Sequence, residues 1–131
     1  EPILTNCKRS WVKIGNHMLR VLFDVDDTLI HLPLHSDKDE PNMPMIELLK
    51  ALSAAGHEVY VSSGGGVEYA KNWCKKLGIE EYVFDYLPKI HTVIKQMKFD
   101  LSFDDMETDY AFLNCQVYRG TEPKKYPILG Q

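Results

Sequence analysis

Short runs rich in β-branched and aromatic residues alternate along this chain with segments of helical periodicity, and that alternation restricts its possible folds more than any other feature. RVLFDV (20–25) and EVYVSS (58–63) are the strongest strand candidates, and EYVFDYL (81–87), DLSFDD (100–105) and NCQVYRG (114–120) follow with weaker β character. Between them, Met45, Leu48, Leu49 and Leu52 keep an i, i+3, i+4, i+7 spacing, with Asn42 as candidate N-cap, Pro44 in the first turn and Gly56 placed to end the helix. A second helix presents Ala70, Trp73, Cys74 and Leu77, carries Lys75 and Lys76 near its negative end, and stops at Gly78. A third shows Ile90, Val93, Ile94 and Met97. The order predicts an α/β chain: a three-layer, Rossmann-like, mostly parallel sheet with helices on both faces and right-handed crossovers.

The 131 residues suffice for one domain with a real core, and no repeat or Gly/Ser linker divides them. Within the single domain 1–131, residues 1–20 are expected as a hairpin or edge strand, 29–42 as a flap, and 120–131, with two prolines, as an irregular tail. The formal charge of −4 does not favour nucleic acid as a partner, since backbone affinity needs clustered Lys and Arg. Cys7, Cys74 and Cys115 are odd in number and scattered, which speaks against a disulfide framework. The opening EPILTNCKRS lacks a signal peptide's apolar stretch, and no apolar run approaches the roughly 20 residues of a membrane span. A cytoplasmic protein without membrane association is therefore expected.

In sheets of this kind ligands bind beyond the carboxyl ends of the strands, and three polar clusters fall there: Asp24 to Thr28, Ser63 to Gly66, and Asp104 with Asp105. Asp24 and Asp26 lie two apart, so a turn beginning there brings both side chains to one site. Their repulsion is relieved by a divalent cation, and with Asp104 or Asp105 they make a hard, all-oxygen site suited to Mg²⁺. Ser63, followed by three glycines, opens a predicted helix, so its hydroxyl and the next backbone N–H groups, Gly64 first, suit phosphate oxygens. Lys89 supplies further positive charge of the kind phosphoryl transfer requires.

FDVDDTL resembles the first signature of the haloacid dehalogenase superfamily, DxDxT after an apolar strand. Ser63 in VYVSSGGG resembles the second, Lys89 the third, and FDDMETD, with Asp104, Asp105 and Asp109, the fourth; the four stand in the family's order over residues 21 to 109. The resemblance implies a phosphomonoester hydrolase with Asp24 as nucleophile, forming an aspartyl-phosphate. It implies Asp26 as general acid and then base, with Thr28, Ser63 and Lys89 binding or orienting the phosphoryl group. Mg²⁺ would be held by the Asp24 carboxylate, the Asp26 carbonyl and an acid of the fourth signature. Asp105 is preferred for that place because Asp105 and Asp109 echo GDxxxD, with Asp104 as the alternative. Two departures stand out: the third signature reads PK rather than KP, leaving Lys95 and Lys98 as competitors of Lys89, and GGG replaces the Arg many members carry after the serine.

Family members usually select substrates with an inserted cap. Here 34 residues separate Thr28 from Ser63 and 25 separate Ser63 from Lys89, nearly all consumed by predicted elements. No cap domain fits, which resembles the capless branch. An open site suits a phosphorylated small molecule or macromolecule, with closure by a second copy of the chain as one route to excluding water. A non-catalytic binding or scaffold protein with the same site, and a phosphotransferase using the same nucleophile, are the alternatives. His31 and His35 are read as flap residues rather than zinc ligands, Tyr69, Trp73 and Tyr82 as core or interface, and Cys74 as packed and inert.

Overall fold

The structure, a computed structural model, describes residues 17–33 and 39–117. Most of the expected N-terminal hairpin or edge strand, the whole tail from 120, and positions 34–38 of the flap, His35 among them, lie outside those residues.

Strand β1 (Arg20–Asp24) forms the middle of a five-stranded sheet because Val21, Leu22 and Phe23 are all apolar and all buried, so both of its faces are covered. After it come a two-residue ribbon, β2 (Ile30–His31) against β3 (Glu40–Pro41), and helix α1 (Met43–Ala54). Strand β4 (Glu58–Ser63), helix α2 (Val67–Lys76), strand β5 (Asp85–Pro88), helix α3 (His91–Gln96), strand β6 (Phe99–Asp104) and strand β7 (Ala111–Gln116) complete the order. The sheet runs β5-β4-β1-β6-β7 with every neighbouring pair parallel, so the chain steps outward on one side of β1 and returns to its other side. This reversal beside β1 is where such folds open a crevice.

Alternation along the strands divides the core into two. Val21, Phe23, Val59 and Val61 join Ile46 and Leu49 of α1 and Ala70 and Cys74 of α2. Leu22, Tyr60 and Phe99 face the other way and meet Ile94 of α3. The result is the expected three layers, with α1 and α2 on one face and α3 on the other.

Two strands differ from expectation. EYVFDYL enters the sheet only at Asp85, because residues 80–82 form a 3₁₀ turn and Phe84 N–H then donates to Val59 O at 2.7 Å. The last strand starts three residues earlier than NCQVYRG predicts, at Ala111, leaving only residues 105–110 to return from the end of β6 to the start of a parallel neighbour. Such crossovers ordinarily take about a dozen residues. The short one is held by Asn114, whose Oδ1 accepts from Ala111 N–H at 2.9 Å, Ser102 Oγ at 3.0 Å and Thr108 Oγ1 at 3.3 Å. It is also held by Asp109, which meets His91 Nε2 at 2.9 Å and accepts Lys95 Nζ on its carbonyl at 3.0 Å.

Candidate active site

Because the main strands are parallel, Asp24, Ser63, Pro88 and Asp104 end four neighbouring strands at one edge, in register as Asp24 beside Ser62 and Ser63 beside Pro88. After Asp24 the chain turns sharply: Val25 O accepts the N–H groups of Thr28, Leu29 and Ile30 within 3.2 Å. The turn requires Asp27 at φ 60°, a left-handed conformation that Asp tolerates better than most residues, and Asp27 Oδ1 accepts Leu32 N–H at 3.0 Å. Asn42 does not cap α1 with its side chain. Its Nδ2 donates to Thr28 O at 2.9 Å, tying the helix start to this turn.

The turn aims Thr28 Oγ1 back at Asp24, where it donates to Oδ2 at 3.2 Å. Lys89, immediately after β5, donates to Asp24 Oδ1 at 2.8 Å and pairs with Asp104 Oδ2, also at 2.8 Å. Lys95 is spent on Asp109 O, and Lys98 ends α3 on the surface at φ 54°, so of the three lysines it is Lys89 that meets Asp24. Asp104 Oδ1 accepts Met106 N–H at 2.9 Å, which fixes the loop after β6.

The electrostatics follow from burial. Burial first, and the charge of Asp104 second, push the Asp24 carboxyl up to about 7 in spite of Lys89. Asp105 is likewise raised, chiefly by burial, and shares a side-chain hydrogen bond with Asp24. Burial works against charge on Lys89, yet its bonds to Asp104 and Asp24 outweigh it and hold the ammonium protonated well above the usual lysine range. Asp24, Asp104 and Asp105 each offer an oxygen within 4.8 Å of the others, a hard donor set that fits a divalent cation.

Ser63 is buried, and its Oγ accepts Gly65 N–H at 3.0 Å. It does not open α2 directly, since Gly66, at φ 104°, takes the N-cap position three residues later. Gly64 lies exposed in the intervening turn. Asp26 is half-buried, and its Oδ1 accepts the hydroxyl of Tyr69 at 2.7 Å. Tyr69, expected only as core or interface, therefore belongs to the site. The sequence signal was slight: its place in the first turn of the helix that follows the Ser63 loop.

The chain thus presents an open α/β sheet whose central strand ends in a lysine-bridged carboxylate cluster. The sequence profile of the haloacid dehalogenase-like hydrolases matches residues 21–87, just over half of the chain. The chain belongs to that family. No curated protein and no solved structure matches it. Among the described residues no helix is long and apolar enough to cross a membrane.

Proposed function

We propose that the protein is a Mg²⁺-dependent phosphomonoester hydrolase working through an aspartyl-phosphate on Asp24. The observation that carries this reading is the Asp24 carboxylate itself: buried at the crevice, held by Thr28 on one oxygen and by Lys89 on the other. An Asp24 oxygen attacks phosphorus while the bond from phosphorus to the leaving oxygen breaks, and that oxygen takes a proton from Asp26. A water then gives a proton to Asp26, its oxygen bonds to phosphorus, and the bond to Asp24 breaks, returning the carboxylate. Lys89, Thr28 and Ser63 with the Gly64 turn stabilise the phosphoryl oxygens as charge spreads over them.

The cation would be held by Asp24, the Asp26 carbonyl and Asp105, where it would neutralise charge between carboxylates and phosphoryl group. Asp105 suits this role better than Asp104. Both Asp104 oxygens are already engaged by donors, Met106 N–H and Lys89, which leaves Asp104 less able to turn toward a cation.

Between Ser63 and Lys89 the chain is occupied by α2, the 3₁₀ turn and β5, which supports a capless member of the family with an open site. Its substrate is then a phosphorylated small molecule or macromolecule, with a second copy of the chain available for closure. The decisive experiment is hydrolysis of 4-nitrophenyl phosphate with and without Mg²⁺. Activity is expected only with the metal and is abolished by Asp24→Asn; metal-independent turnover surviving in that variant would refute the mechanism. Added acceptor alcohols, with product analysis, separate hydrolysis from phosphotransfer.

A further inference from the structure

We propose that Tyr69 is a positioning residue that fixes the Asp26 carboxyl in the orientation from which it protonates the leaving oxygen, and that Gly65 exists to seat the Tyr69 ring. The proposal rests on the reading of Asp26 as general acid. Its ground is two contacts: the hydrogen bond from Tyr69 to Asp26, 43 residues away in the sequence, and the close approach of Gly65 to the Tyr69 ring.

Asp26 sits in the turn after β1, half-buried, where a carboxyl on a freely rotating side chain has several orientations open to it. The Tyr69 hydroxyl removes that freedom by donating to Oδ1 at 2.7 Å, the length of a strong hydrogen bond to a carboxylate. With Oδ1 occupied as an acceptor, the acid's proton resides on Oδ2. Tyr69 thus selects both the rotamer and the oxygen that carries the proton.

The ring lies close against the Gly65 backbone. A Cβ at position 65 would lie 2.8 Å from Tyr69 Cγ, 2.9 Å from Cδ2 and 3.2 Å from Cβ, atoms at the root of the side chain that cannot swing aside. Only glycine leaves room for the ring in this place. Gly65 N–H in turn donates to Ser63 Oγ, so the loop expected to receive phosphate also sets the position of the acid. Burial first, then the bond to Asp26, push the phenol up to about 12, which keeps it a donor throughout the neutral range.

The test compares kcat/KM for phenyl phosphate, whose leaving group needs protonation, and 4-nitrophenyl phosphate, whose leaving group does not. Proteins are the wild type, Tyr69→Phe, Asp26→Asn and the double variant, assayed with Mg²⁺. Tyr69→Phe is expected to lower the phenyl phosphate value about tenfold, part of the roughly hundredfold or more that a placed general acid supplies, and to lower the 4-nitrophenyl value several-fold less than that. Vanadate inhibition should not move, and in the Asp26→Asn background the second substitution should cause no further loss on phenyl phosphate. Equal losses on both substrates, or the same loss with Asp26 already replaced, would overturn the role given to Tyr69. A wild type inert toward both substrates would instead overturn the phosphatase reading, and this proposal with it.

Discussion

Replacing Lys89 with Met isolates what the lysine does for stability, because the aliphatic stem is kept and only the charge is lost. The ammonium makes two contacts of 2.8 Å, to Asp24 and Asp104, with the three side chains 19%, 6% and 3% exposed. Hydrogen bonds to charged groups contribute about 1.5–3 kcal/mol each, and removing one partner of a buried pair costs about 3–5 kcal/mol. Asp24 can relieve part of that by taking up a proton, so we expect a loss of about 3 kcal/mol at pH 8 in EDTA. The sign of the pH dependence follows from Asp24, whose carboxyl stands at about 7 against an ordinary 3.8. The folded state holds a proton there that the unfolded chain releases, so this contribution is complete below about pH 4 and disappears as pH rises through 7. Without Lys89, whose charge lowers that value, Asp24 titrates higher still. At pH 5 the carboxyl is protonated in both proteins and only the bond to Asp104 distinguishes them, so the loss should shrink to about half. Urea unfolding followed by tryptophan fluorescence, at pH 5 and pH 8, measures both quantities. A loss below about 1 kcal/mol at pH 8, or one of equal size at both pH values, would show that Lys89 is not the counter-charge of a buried carboxylate pair.

Two further outcomes concern residues outside the site. Cys74 is fully buried and its thiol is pushed by burial up to about 11, so iodoacetamide at pH 8 should leave it unmodified in the native protein and label it fully in urea; mass spectrometry showing native labelling would contradict the packing. Lys98 ends α3 at φ 54°, a conformation costing a side-chain-bearing residue about 1 kcal/mol, so Lys98→Gly should raise stability by up to about that amount in the same urea assay, and a clear loss would argue against this backbone.

What was legible in the sequence is what local chemistry decides. EVYVSS is β4 residue for residue, and the periodic apolar stretches became helices, because burial of a face is written into spacing alone. The glycines at 56 and 78 do end their helices, both at positive φ. The start of strand β7 was misplaced, at Asn114 instead of Ala111, because its residues break both cues. Phe112 is 93% exposed and Leu113 52%, so the edge strand buries little of its apolar content, and its connection is too short to contain the helix that usually announces a parallel neighbour.

The site divides along the same line. Asp24 could be chosen because it ends β1, and Asp104 with Asp105 because they stand together at the end of β6, a local property. Choosing among Lys89, Lys95 and Lys98 needed the register of β5, which pairs Pro88 with Ser63 and so delivers the next residue to the crevice, while Lys95, one turn into α3, turns to Asp109. Tyr69 lay further out of reach. Its partner is 43 residues away, and on an amphipathic helix a tyrosine beside Ala70 and Trp73 has the spacing of a core residue. Its ring does pack in that core, and only the hydroxyl, reaching past the glycine loop to Asp26, gives it a second role. One side chain satisfies both demands because tyrosine has an apolar body and a polar tip, so periodicity reads the first and is blind to the second.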